Sequence, residues 1–247
     1  MAGTVVTIFP RTGLAGDMLV AGLSAAGGLD AGELGGVLSH AGGLLGSCTV
    51  AVVDGGVVDG APARRLDITL ETGLPGLGGD RARVLMEQLV TDLGLDGPRA
   101  GLARRGLEAL LIAEAAAHGA VADPHLHEAQ DILIDLAGAA WCLQRLGIDA
   151  VRCGAPVPVG GGTVRCSHGL LDVPAPATAV LLATHGIPWA AGPVRTELLT
   201  PTGAALLAAL TPEWVPIDEL DPATMDGWGL GTKALAGRPN GVGIRLG

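Results

Sequence analysis

Thr4-Val-Val-Thr-Ile-Phe9-Pro10-Arg11-Thr12-Gly13-Leu14-Ala15-Gly16-Asp17-Met18 reads as strand, turn and helix in immediate succession. The first six residues are short, apolar and rich in β-branched side chains, which suits a buried strand. The glycines loosen the turn, and the apolar run beyond Asp17 predicts a helix to about Ala26. Free N–H groups at such a helix start can hold an anion, so Gly13 and Gly16 are candidate cradle positions. Gly-x-x-Gly alone is a weak signal. It lacks the third glycine of a dinucleotide loop and the Gly-Lys-Ser/Thr of a P-loop. Asp17 would repel a phosphate unless a metal intervened. It fits equally as an acidic first turn that complements the helix dipole.

Outward from this unit, helices are expected over Ala31–His40, Arg81–Leu93 and Arg99–Ala117, with a buried helix ending at Leu146-Gly147 and a short helix that starts within Val173–Thr178 and runs to about His185. Cys48–Val53 and Ala63–Leu70 read as an antiparallel pair, and Val151–Val159 and Val194–Leu199 as further strands. Residues 72–80 form a Gly-rich connector and the best candidate for a flexible loop. Thr200 reads as an N-cap with Pro201 at the first helical position. The tail carries Gly-rich runs at 227–233 and 237–241. The expected fold is α/β (mixed α+β), a mixed sheet with surrounding helices. It should form a single domain over 1–247, with a candidate sub-division near 120–124.

The chain has 247 residues and 49% hydrophobic content, enough for a sizeable core. That content is mostly Ala, Val and Leu beside 41 glycines, which implies closely approaching elements. A net charge of −10 argues against a nucleic-acid surface and against anionic membranes. Cys48, Cys142, Cys153 and Cys166 are widely spaced and form no Cys-x-x-Cys, as in a cytoplasmic protein without a disulfide framework. No signal peptide and no membrane-spanning run is expected.

The chemistry concentrates at Pro124-His125-Leu126-His127-Glu128, followed by Asp131 and Asp135. Two of the six histidines lie here, one residue apart, where a loop enters an apolar helix. Imidazole and carboxylate together suit a borderline divalent metal. Two histidines and a carboxylate leave a coordination position open. Asp131 and Asp135 share a helix face and need a metal, a basic residue such as Arg165, or backbone donors. Glu114 and His118 are also four apart, and His118-Gly119 doubles as an ordinary helix C-cap. Cys166 and His168 could together reach a soft metal, or be a buried thiol beside a backbone-bonded imidazole.

In chain order, Gly13-Leu-Ala-Gly16-Asp17-Met18, Glu114 with His118-Gly119, and His125-Leu-His127-Glu128 with Asp131 and Asp135 resemble the LarC family of nickel-insertion proteins. So do Arg165-Cys166-Ser-His168-Gly169, Val173-Pro174-Ala-Pro176-Ala177-Thr178, Glu197-Leu-Leu-Thr200-Pro201-Thr202-Gly203, Gly229-Leu-Gly231-Thr232 and Arg238-Pro239-Asn240. The resemblance runs nearly end to end. It implies insertion of Ni2+ into pyridinium-3,5-bisthiocarboxylic acid mononucleotide to form the nickel-pincer nucleotide cofactor, a lyase-type chelatase reaction that forms a nickel–carbon bond. It implies CTP, with Mg2+ or Mn2+, held by a C-terminal domain that would begin where this sequence ends, so that a separately encoded partner would supply it. It also implies a homo-oligomer. The chain departs from the family at Phe9-Pro10, where an Asp-Cys pair is usual. It departs again at 72–80, where a His-rich loop is common, and after Glu128, where the spacing is shorter.

On this resemblance His118, His125, His127, Glu128, Cys166 and His168 are candidate metal ligands, and Asp17, Glu128 and Cys166 candidate catalytic groups. The anionic substrate calls for N–H-rich or basic positions: Thr200, Thr202 and Gly203 at one helix start, Gly13 and Gly16 at another, with Arg165, Arg238 and Lys233. The alternatives are a non-catalytic nickel-delivery module, and a metal-free α/β enzyme using the histidines as acid and base.

Overall fold

The structure, a computed structural model, describes residues 4–247 except 73, 75, 120–123, 167, 168 and 236, and the side chain of Cys166 is also outside the described set. His168 and most of the expected sub-division at 120–124 therefore lie outside the described residues. The chain opens with β1 (Thr4–Phe9), α1 (Gly16–Ala26), α2 (Ala31–Gly43), β2 (Cys48–Val58) and β3 (Ala61–Leu70). It continues with β4 (Leu77–Gly78), α3 (Gly79–Asp92), α4 (Gly97–Ala117), β5 (His125–Leu126) and α5 (Ala129–Arg145). Then come β6 (Ile148–Ala155), β7 (Val157–Pro158), β8 (Thr163–Cys166), β9 (Gly169–Asp172), α6 (Pro176–His185) and β10 (Trp189–Ala190). The last elements are α7 (Pro201–Leu210), β11 (Glu213–Pro216), β12 (Gly227–Leu230) and β13 (Gly241–Leu246).

Seven strands form one mixed sheet in the order β11-β6-β1-β13-β12-β3-β2. β1 is parallel to β6 and antiparallel to β13, with Ile8 opposite Cys153 and Ile244. The expected mixed α/β class is therefore the observed one. One face carries α1 and α2, α5 crosses those two helices, and α4 packs beyond α5 against α6 and α7. The other face is closed by Phe9 and Trp228, in edge-to-face contact, with Leu220 and Met225 over them.

Helix α1 is buried on nearly every side, from Met18 through Ala25. It is a central element with no solvent face of its own. Glycine lets it lie on the sheet without spacing side chains. A Cβ on Gly229 of β12 would collide with the Met18 carbonyl oxygen, and one on Gly22 of α1 would sit 3.1 Å from the Gly229 nitrogen. Arg64 sits at the C-terminal end of α1, donating to the Ser24 carbonyl at 3.2 Å and, beyond the helix, to the Leu29 carbonyl at 2.6 Å.

Three expectations need correcting. Val194–Leu199 is not a strand: Glu197 and Leu199 make only isolated bridges, to Gly160 and Leu14. The run 151–159 breaks at Pro156 into β6 and β7, and β7 pairs with β10 outside the main sheet. The Gly-rich tail contains two interior strands, β12 and β13. Glycine is poor strand material by propensity, and here it is required by contact with α1.

Gly229→Ala should therefore destabilise the fold by roughly 3 kcal/mol or more, because the clash is with backbone. That is a fall in Tm of roughly 6–12 °C. Gly36→Ala, in the exposed middle of α2 with nothing within 4 Å, should stabilise by about 0.5–1 kcal/mol. Thermal unfolding of both variants checks the contrast. A Gly229→Ala protein that melts like the wild type would show that α1 does not need this contact.

Candidate functional site

The cavity is about 980 Å³, and the N-terminal ends of four helices reach its wall. Ala15 and Asp17 belong to α1, Glu128 through Asp131 to α5, Ala175 through Ala177 to α6, and Thr200 through Thr202 to α7. These ends meet because the turn before α1 and the segment before α7 interlock. Leu14 donates to the Leu198 carbonyl at 3.0 Å, and Thr200 donates back to Leu14 at 3.1 Å. Gly203 lies so close to the Leu14 carbonyl that a Cβ would overlap it. Gly13 is likewise covered by the Leu198 backbone, so protein occupies that side of the turn.

Seven carboxylates line the cavity: Asp17, Glu71, Glu114, Glu128, Asp131, Asp135 and Glu197. Lys233 is the one lysine or arginine among the described lining residues. Asp135 is 3% exposed, on a helix that is otherwise core. Its carboxylate rests on Gly16 at the first residue of α1, where a Cβ would take its place, and its Oδ1 has no hydrogen-bond partner. Burial, then the neighbouring Asp131 and Asp17, push its pKa well above the carboxylate range. Asp131 is pushed up to about 7 by burial and by the charges of Asp17 and Glu128. Asp17 is raised by burial, against the pull of its hydrogen bond from the Met18 N–H and of Lys233. Glu114 and Glu197 are raised by burial as well, opposed by His118 and Lys233 respectively. Lys233 donates to the Glu197 carbonyl at 3.1 Å and lies 3.6 Å from its carboxylate.

The histidine pair stands at the mouth. His125 and His127 are exposed on either side of buried Leu126. β5 pairs with β4, setting Gly78 opposite His125. Gly76 lies against His127, since a Cβ there would be 3.6 Å from its Cε1. Residues 76–78 of the Gly-rich connector thus lie across the His-x-His stretch. Glu128 N-caps α5 in the left-handed region (φ 57°) without a side-chain cap bond. Such a conformation in a non-glycine residue stores roughly 1–3 kcal/mol and is typical of constrained functional positions. Gln130 anchors the next turn by donating to the Gly42 carbonyl at 3.1 Å and the Ser47 carbonyl at 3.2 Å.

Of the sequence-derived candidates, the cavity gathers Asp17, His118, His127, Glu128, Thr200 and Thr202. Gly16 and Gly203 lie behind its wall at the two helix starts, His118 sits 3.6 Å from Glu114, and His125, Arg165 and Arg238 are exposed outside it. Among the described residues, no three His, Cys, Asp or Glu side chains converge tightly enough to hold a metal ion. The Cys166 side chain and His168 lie outside those residues. Sequence reasoning passed over Glu71 and Glu197. Glu197 sits in an irregular segment where no periodicity marks it, and only its place beside Thr200-Pro201-Thr202 could have drawn attention to it.

This is a mixed α/β protein with an acid-lined cavity built on helix N-termini. The family model described as nickel insertion protein matches residues 6–246, and the chain belongs to that family. A relative from Syntrophobacter fumaroxidans is 39% identical over 163 residues, 65% of this chain and 41% of its own length. The pyridinium-3,5-bisthiocarboxylic acid mononucleotide nickel insertion proteins of Staphylococcus saprophyticus and Akkermansia muciniphila are 43% identical over 124 residues and 45% identical over 137. Those matches span 49% and 54% of this chain but 31% and 33% of the relatives, so the matched part is less than half the length of each relative. No solved structure matches the chain. No helix of the described residues is long and apolar enough to cross a membrane.

The raised carboxylates set a pH dependence. Between its ordinary 3.8 and about 7, Asp131 keeps a proton in the fold that the unfolded chain has lost. The native state binds more protons there, so stability falls as pH rises through that window. Without divalent metal, Tm should drop by on the order of 5 °C from pH 5 to pH 8. Asp131→Asn should flatten the slope. Equal slopes in scanning calorimetry of the two proteins would show that Asp131 is not the group responsible.

Proposed function

We propose that the chain is the substrate-handling part of a cytoplasmic nickel insertase. In this reading it presents Ni2+ to pyridinium-3,5-bisthiocarboxylic acid mononucleotide, in a metal-inserting lyase reaction that yields the nickel-pincer nucleotide cofactor. CTP with Mg2+ or Mn2+ would be held by a CTP-binding partner. The observation that carries the proposal is the cavity itself, in which seven carboxylates and two histidines face one lysine. A divalent cation relieves this charge, and because its ligands must be deprotonated it displaces the protons that burial keeps on Asp131 and Asp135. Ni2+, as substrate, would enter at the mouth through His127 and Glu128, with His125, His118, Cys166 and His168 as the further candidate donors. An open imidazole and carboxylate set suits transfer better than a closed tetrahedral site, because the ion must leave.

One observation favours the alternative of a nickel-delivery module without insertion chemistry. The connector segment that lies against His127 carries glycine at the contact point and offers no extra imidazole.

The experiment has two arms. In calorimetric titration, His125→Ala/His127→Ala should weaken Ni2+ binding at least ~10-fold. Full retained affinity would move the nickel site elsewhere. Incubation with the thiocarboxylated mononucleotide, Ni2+, CTP and Mg2+, with the CTP-binding partner present, should yield a nickel-bearing product by mass spectrometry. Binding without product would leave delivery as the function.

A further inference from the structure

The four helix N-termini at the cavity are not alike. The first turns of α1 and α5 carry Asp17 and Asp131, which offset the positive ends of their own dipoles. The first turns of α6 and α7 carry no acidic residue, and each begins with a proline. No side chain caps α6, so the Ala177 and Thr178 N–H groups lack protein acceptors. On α7, Thr200 accepts only the Gly203 N–H, at 3.1 Å, and leaves the Thr202 N–H unused. The Thr202 side chain is a separate indication of a ligand. It is 8% exposed and lines the cavity, and its hydroxyl makes no hydrogen bond among the described residues. Lys233 stands beside the same segment, held on the Glu197 carbonyl three residues before the α7 cap.

We infer that the cavity has two poles, and that the α6–α7 end, with Thr202 and Lys233, is a binding site for the phosphate of a mononucleotide. This deepens the insertion reading and rests on it for the identity of the nucleotide. A phosphate finds no free helix end at α1 and α5, where Asp17 and Asp131 occupy the first turns. It is accepted by the uncompensated N–H groups and the Thr202 hydroxyl on the cavity wall, with the Lys233 ammonium drawn from its 3.6 Å contact with the Glu197 carboxylate. With the phosphate fixed there, the pyridinium ring extends toward the acidic end, and its 3,5-substituents face the cation pole under the histidines. The polarity of the first turns therefore sets the direction in which the substrate lies. Arg165 and Arg238, exposed outside the cavity, are not needed for it.

The test uses the oxygen analogue, pyridinium-3,5-biscarboxylic acid mononucleotide, and its dephosphorylated nucleoside, titrated into the full chain without nickel. Thr202→Val, close to isosteric, should weaken mononucleotide binding ~10-fold, the effect expected of one hydrogen bond to a charged group. Nucleoside binding should change less than ~2-fold. Thr202→Ser, which keeps the hydroxyl, should restore mononucleotide affinity, separating loss of the donor from damage to the fold. An equal loss for both ligands, or no loss for either, overturns the phosphate site. Nickel binding by the wild type without nucleotide is measured separately. If it fails while the Thr202 effect holds, the nickel reading falls and the phosphate site stands.

Discussion

Helix α1 rests on strand β12 backbone to backbone. At Gly22 and Gly229 no side chain separates the two, and the glycine at 227 lets the C-terminal end of α1 settle as closely onto the sheet. Glycine inside regular elements costs about 0.5–1 kcal/mol each in conformational entropy. The cost is offset by dispersion contacts made at a distance no larger residue permits. This contact fixes the height of α1 above the sheet, and with it the position of the Gly13–Gly16 turn. The turn in turn holds Leu14 against Gly203, so the start of α7 is positioned from the same origin. Two of the four helix ends at the cavity are thus placed by glycine contacts.

The second dependence runs through α5. It is buried along nearly its whole length, yet it carries Asp131 and Asp135 on the side that meets α1 and the cavity. Gly16 leaves the space that the Asp135 carboxylate fills. A buried carboxylate with an unpartnered oxygen is destabilising unless it is protonated or meets a cation. The arrangement makes sense as a surface prepared for positive charge, and the strained Glu128 at the head of the helix belongs to the same preparation.

Much of this was legible in the sequence. The β1–turn–α1 unit was readable because β-branched residues, glycines and an apolar helix follow one another at their ordinary spacings. The His-x-His-Glu stretch and the i,i+4 aspartates were readable because chemistry-bearing side chains are rare in this apolar chain. Thr200 was readable as a cap from the proline behind it. The central strands β12 and β13 were not, because Gly227, Gly229, Gly241 and Gly243 mimic a loop to any propensity argument. Their place in the sheet depends on α1, which lies more than two hundred residues earlier in the chain. Val194–Leu199 misled in the opposite sense. It has strand composition, but it is held by single bridges to Gly160 and Leu14 and never enters the sheet. Glu197 was obscured with it, since a carboxylate in irregular chain has no period to betray which way it faces.

A net charge of −10 argues against nucleic acid and says little about a small anionic ligand. Net charge describes the far field, whereas binding inside a cavity responds to the groups within a few ångströms. Here those groups are arranged by helix direction. Four helices end at the cavity on their positive side, and the sequence decides, in each first turn, whether an aspartate cancels that end or leaves it available. One cavity can therefore offer carboxylates at one end and N–H groups at the other, with Lys233 between Glu197 and the approach to α7. An acidic chain accommodates both a cation and an anion in this way without any basic patch on its surface. The arrangement follows from where the helices start, and where they start follows from the glycines that let α1 and α7 meet.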